Sequence, residues 1–78
     1  MKHNLHNAIL SRLQEERQVV TLITINGYQM KGRITGFDDL VVVVEVRKEQ
    51  QIVYRHAIST ISPDRAIDLD GLRGEELQ

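Results

Sequence analysis

Few side chains in this 78-residue chain have chemistry to offer: three histidines, two tyrosines, ten lysines and arginines, and no cysteine. The densest group is Tyr54-Arg55-His56, in which a phenol ring, a guanidinium and an imidazole follow one another. A guanidinium pairs with phosphate oxygens, and an imidazole can donate to or accept from a base edge. This is recognition chemistry. A histidine at a strand end is by itself an ordinary structural residue, so any larger role for His56 has to come from the motif around it. Catalytic signatures are missing, with no Cys nucleophile, no His-Asp-Ser arrangement and no Gly-rich phosphate loop. His3 and His6 stand three apart, a spacing open to a metal, but two histidines without a third ligand do not make a site. Neither a metal nor a cofactor is expected.

Length allows one domain, small enough to leave much of its surface exposed when it folds alone. With no cysteine to staple it, the remaining routes to stability are an efficient small fold or self-association. No run of eighteen apolar residues and no signal-like opening is present, so the expectation is a cytoplasmic protein with no membrane partner. The formal charge of −1 divides unevenly. Eight basic against six acidic residues precede Pro63, giving +2, and two against five follow from there on, giving −3. Residues 63–78 therefore read as a flexible acidic tail and residues 1–62 as the folded domain, with a short terminal helix around Ala66 to Leu72 as the alternative for the tail.

The elements that must position the polar residues follow from periodicity. Leu5, Ala8, Ile9 and Leu13 fall on one helical face from about residue 4 to 17, with Asn4 as N-cap and a polar opposite face. The period then becomes two. Val19 to Ile25 reads as a strand, and Asn26-Gly27 is a strong hairpin signal leading into an alternating strand, Tyr28 to Phe37. In that strand Tyr28, Met30, Gly32 and Ile34 share the buried face, while Gly32 and Gly36 allow sharp bending. Asp38-Asp39 turns the chain into the apolar run Leu40 to Val46, which reads as covered on both faces and as an aggregation hazard if left at an edge. A four-residue turn, Arg47 to Gln50, leads to a strand Gln51 to His56 and a last one, Ser59 to Ser62, before Pro63 ends pairing. One helix and five short strands predict a mainly β fold, a strongly bent, partly open antiparallel barrel. Pairing of its edges between identical chains, repeated head to tail, closes a ring where the rotation fits.

These residues resemble a known family. Asn26-Gly27 with Gly32 and then Gly36-Phe37-Asp38 resemble the first Sm motif, and Tyr54-Arg55-His56-Ala57-Ile58-Ser59-Thr60 is similar to the Tyr-Lys-His-Ala-Ile-Ser-Thr signature of the bacterial Sm-like RNA chaperone family Hfq. The resemblance spans about residues 4–63. It implies an Sm-like fold, a homohexameric ring, and post-transcriptional regulation in which small regulatory RNAs meet messenger RNAs. Two RNA-binding faces are implied: one for U-rich RNA around the pore on the helix-bearing side, one for A-rich RNA opposite.

Carried over by position, the pore face comprises His6, Asn7, Asp39, Leu40, Arg55 and His56. His6 stands where the family has Gln, Asn7 where it has Asp, Leu40 where it has an aromatic ring, and Arg55 where it has Lys. Leu40 offers contact area to a uracil but no π face, so stacking is expected to weaken. The opposite face comprises Ile23, Thr24, Gly27, Tyr28, Gln29, Met30, Lys31, Gln51 and Thr60. There Tyr28 keeps an aromatic platform but reads equally as core, Gln51 keeps an amide, and Ile23 replaces a ring; Met30 reads as core ahead of a binding role. The family's Arg-rich rim corresponds to Gln14-Glu15-Glu16-Arg17, leaving Arg17 and, one turn earlier, Arg12. Those departures and the acidic rim keep a second expectation open: a ring of the same fold with reduced RNA affinity that serves as a protein-interaction scaffold. A small hydrolase is the third reading and has no motif behind it.

Overall fold

The structure, a computed structural model, describes residues 5–71. The expected cap Asn4 and the histidine pair's first member, His3, lie outside the described residues, as does the tail beyond Gly71. Helix α1 (Leu5–Glu16) buries Leu10 and Leu13, with Ile9 packed beside them. Leu10 belongs to this face although the expected set omitted it; Leu5 and Ala8 are half-buried. The helix ends at Arg17, whose φ of 54° is the left-handed conformation in which helices commonly terminate, and its N–H bonds back to the carbonyls of Leu13 and Gln14.

Five strands follow: β1 (Val19–Thr24), β2 (Gln29–Phe37), β3 (Val41–Val46), β4 (Glu49–Tyr54) and β5 (Ile58–Pro63). They form one antiparallel sheet in the order β4-β3-β2-β1-β5. The sheet does not close on itself, so β4 and β5 are its two edges. The valine-rich β3 is an interior strand, paired on both sides, and is not left at an edge. Nor is it covered on both faces within one protomer: Val42 and Val44 are buried, while Val41 and Val43 are half-buried. Register shifts between Ile34 and Gly36 and between Ile23 and Thr24 supply the bending. The core is Leu10, Leu13, Val20, Leu22, Ile34, Val42, Val44 and Val53.

Gly32 earns its place by close approach. A Cβ there would lie 2.2 Å from the Glu45 carbonyl oxygen and 3.0 Å from Val46 Cγ2, so β2 and β3 touch where any side chain would part them. Two connections differ from expectation. The β3–β4 turn is only Arg47-Lys48, because Glu49 and Gln50 already pair with Val46 and Glu45. Arg55–Ala57 is a 3₁₀ turn between β4 and β5 and not the end of a strand. At the far end Pro63 is still paired, opposite Val20. Beyond it, the Asp64 N–H reaches Val19 O, the Arg65 N–H reaches the buried side chain of Gln18, and Ile67 packs on the core. Residues 69–71 are helical.

Candidate nucleic-acid interface

The 3₁₀ turn after β4 is where the pore-face residues gather. Arg55 closes that turn onto the Asp38 bend through its backbone, with its N–H donating to Leu40 O at 2.8 Å. Its side chain reaches three more acceptors: Nη1 donates to Asn7 Oδ1 at 2.8 Å and to Asp38 O at 2.6 Å, and Nη2 faces His6 Nδ1 at 3.3 Å. A guanidinium has only donors, so this contact makes His6 Nδ1 the acceptor and leaves the proton on Nε2, pointing away from Arg55. One planar fork thus ties the start of α1, the β2–β3 bend and the end of β4 together. Arg55 is therefore engaged within the protomer, where the sequence suggested a cation open to phosphate.

The bend itself is built by Asp38, whose Oδ1 accepts from the N–H groups of Leu40 (2.8 Å) and Val41 (2.9 Å). The Val41 and Leu40 N–H groups, with Arg55 adding its charge, hold this carboxyl below the usual carboxylate range. From sequence Asp38 reads as a turn and motif residue while its neighbour Asp39 is named for the site; the spacing of Asp38 to the N–H groups two and three residues on is the signal that reveals its role. Asp39 and Leu40 project from the bend, Leu40 being 70% exposed. His56 is exposed and stacks on Tyr54, ring centroids 5.8 Å apart and planes 30° apart. His6, Asn7, Leu40 and Arg55 thus come together in one protomer, with Asp39 and His56 flanking them. His6 and Arg55 also line, with Ile9, Leu10, Val42, Ile58, Ser59 and Ile61, a cavity of about 230 Å³.

The second set lies on β1, β2 and β5. Ile23 is directly opposite Gln29 on one side and Thr60 on the other, and Lys31 continues the row on the same outward face. The preceding hairpin is held by the Gly27 N–H donating to Thr24 O and by Thr24 Oγ1, which bonds Asn26 Oδ1 and the Tyr28 N–H. Gly27 has φ 88°, which explains the glycine there. Tyr28 is 62% exposed and leaves the buried row expected for it, whereas Met30 is half-buried against the core. Gln51 is exposed on β4, at the sheet edge opposite Thr60. On the rim Arg12 faces Glu15 and Arg65 faces Glu16, both at 3.9 Å, while the Arg17 carbonyl accepts from Arg33 Nε at 2.8 Å.

No described helix is long and apolar enough to cross a membrane, and among the described residues no three His, Cys, Asp or Glu side chains group as metal ligands.

The family model described as Hfq protein matches residues 5–68. The RNA-binding protein Hfq of Syntrophomonas wolfei is 42% identical over 72 residues, spanning 92% of this chain and 88% of that protein. That of Desulfitobacterium hafniense is 46% identical over 66 residues, spanning 85% and 80%. Among solved structures, the 1.55 Å crystal structure of the pleiotropic translational regulator Hfq aligns with a TM-score of 0.73 at 36% identity, covering 76% of this chain and 98% of that one. An Hfq protein from Anabaena sp. aligns at 0.69 with 22% identity over 76% and 95%, a likeness of fold alone.

Proposed function

The chain belongs to the Hfq family, and from that premise we propose that it is an RNA-binding protein and RNA chaperone of the bacterial cytoplasm, working as a homohexameric ring on small regulatory RNAs and messenger RNAs. It acts by binding, not by catalysis. U-rich RNA is taken at the pore through His6, Asn7, Asp39, Leu40 and His56, with Arg55 as their brace. A-rich RNA is taken on the opposite face through Tyr28, Gln29, Lys31, Gln51, Thr60 and their neighbours Ile23, Thr24, Gly27 and Met30. The two unpaired edges support the ring: laying β4 of one copy beside β5 of the next removes both edges and brings Gln51 towards the row of Thr60. Six copies of a folded part at +2 carry +12, enough to draw in a polyanion despite the chain's overall acidity.

The observation that carries this reading is the joining of His6, Asn7 and Arg55 beside an exposed, ring-stacked His56. Fluorescence anisotropy with labelled U-rich and A-rich oligonucleotides tests it. His56→Ala weakens U-rich binding and Tyr28→Ala weakens A-rich binding, each by roughly tenfold, as expected for loss of one contact of 1–3 kcal/mol. Both affinities fall with rising salt. Absence of binding to both RNAs at low salt would overturn the proposal.

The exposed Leu40 and the paired rim charges favour one alternative, a ring of the same fold that binds proteins in place of RNA. Partners retained in pull-downs after ribonuclease treatment would support it.

A further inference from the structure

The β3–β4 hairpin is closed by two residues, and both take positive φ: 53° at Arg47 and 69° at Lys48. A two-residue loop with left-handed backbone at both positions is a type I′ turn, for which Asn-Gly is the favoured filling. The chain's other tight hairpin puts a glycine, Gly27, at its left-handed position, whereas neither residue here is Asn or Gly. Long L side chains in this backbone are strained, and strain of this kind persists where something compensates it. Packing does not compensate it, because both side chains are exposed. Polar contacts do not either: among the described residues neither side chain makes a hydrogen bond or an ion pair, although Glu45 and Glu49 flank the turn. Two cations are left facing solvent.

Their position gives them a use. The register Arg33↔Glu45 sets Gly32 against Val46, which the close approach at Gly32 bears out, and carries Lys31 level with the hairpin tip. Lys31 falls on the same outward alternation as Arg33 and Glu45, and Arg47 opens the turn one residue after Val46, the partner position of Gly32. Arg33 is tied to the Arg17 carbonyl and faces Glu45, whereas Lys31, like the tip, has no anionic partner among the described residues. We propose that Arg47 and Lys48 form an additional phosphate-binding site, with Lys31 leading into it, that extends the RNA path of the opposite face outward over the β3–β4 hairpin. No aromatic ring stands at the tip, so the site reads the phosphodiester backbone and not the bases. The inference rests on the RNA-binding reading above.

Two double variants of the full chain test it, with A-rich and U-rich oligonucleotides as probes. R47N/K48G installs the favoured turn and removes both charges: the melting temperature rises by several degrees, while A-rich RNA binds several-fold more weakly and the slope of log K against log salt shrinks by up to about two. U-rich binding at the pore stays at the wild-type level. R47Q/K48Q removes the charges without relieving the backbone, and gives the same loss of A-rich binding with no gain in melting temperature. Wild-type affinity and salt slope for A-rich RNA in either variant would overturn the site while leaving the RNA-binding reading standing. Failure of the wild-type protein to bind either RNA would overturn both.

Discussion

Arg55→Lys separates a brace from a ligand, because the two roles predict opposite results. Lysine is the residue the family signature carries at this position, and the exchange keeps the charge while removing the planar fork. In the structure the fork serves Asn7 Oδ1 at 2.8 Å, Asp38 O at 2.6 Å and His6 Nδ1 at 3.3 Å. A single ammonium can satisfy one of the two shorter bonds but not all three, since their acceptors lie on α1, at the β2–β3 bend and on a histidine ring. Losing one strong and one long hydrogen bond at a half-buried site removes about 1.5 kcal/mol. For a domain of this size that is a fall in melting temperature of roughly 6–12 °C, measured by circular dichroism at fixed protein concentration because assembly shifts the midpoint. Meanwhile the ammonium, no longer held in the fork, becomes available to phosphate, and His6 loses the partner that fixes its tautomer. U-rich affinity in anisotropy should then hold or rise. A variant that melts with the wild type and binds U-rich RNA more weakly would refute this reasoning, since Arg55 would then be an RNA ligand and its contacts incidental.

Two further outcomes follow from the fold. Gly32→Ala forces a Cβ to within 2.2 Å of the Glu45 carbonyl oxygen, so β2 and β3 must part; a loss of about 3 kcal/mol or more against a total of roughly 5–15 leaves little cooperative unfolding to observe, and a wild-type melting curve would refute the contact. Asp38 gives an acid limb. Its carboxyl is held below the ordinary 3.8 by the Val41 and Leu40 N–H groups and by Arg55, so its contribution is present above that value and is lost as pH falls through the lower, folded one. The melting temperature should drop below about pH 4, and Asp38→Asn, which keeps an acceptor oxygen but cannot ionise, should flatten that part of the profile.

Much of this was legible in the chain. Asn26-Gly27 announces its hairpin because Gly27 supplies the left-handed backbone, φ 88°, that closes the loop between Thr24 and Tyr28, and the Tyr28–Phe37 alternation gives β2 its buried row at Met30, Gly32 and Ile34. The row fails at Tyr28, which sits beside the turn where the sheet no longer has a layer to cover it. Other features were hidden for identifiable reasons. Arg47-Lys48 carries no turn signature, since cations are poor in that backbone, and from sequence the turn reads as Arg47 to Gln50. The valine run of β3 has the composition of a strand covered on both sides, but sequence cannot say whether the second cover comes from the same chain. Arg55 reads as an open cation because its acceptors at Asn7 and Asp38 are 48 and 17 residues away in sequence. Asp38 lies at the other limit: its bonds span only two and three residues, and are recoverable from spacing alone.

The unfilled second face of β3 and the open sheet edges have one common resolution. On β4, Val53 is buried while Gln51, two residues before it in the same inward row, is exposed, so the core stops partway along the edge strand. On the outward row Ile52 and Tyr54 are each 59% exposed beside the half-buried Val43 and Val41. An edge strand with apolar side chains on one face and unpaired backbone along its rim is unstable towards association. In the proposed ring the neighbour's β5 satisfies that backbone, and the same step brings the strand carrying Gln51 beside the strand carrying Thr60. Gln51 and Thr60, both assigned to the opposite face, stand on the two edges of one sheet, so in that ring a pocket would draw Gln51 from one copy and Thr60 from the next. On the proposed reading assembly and recognition are coupled: the edges that the isolated chain leaves unpaired would, once paired, complete the site.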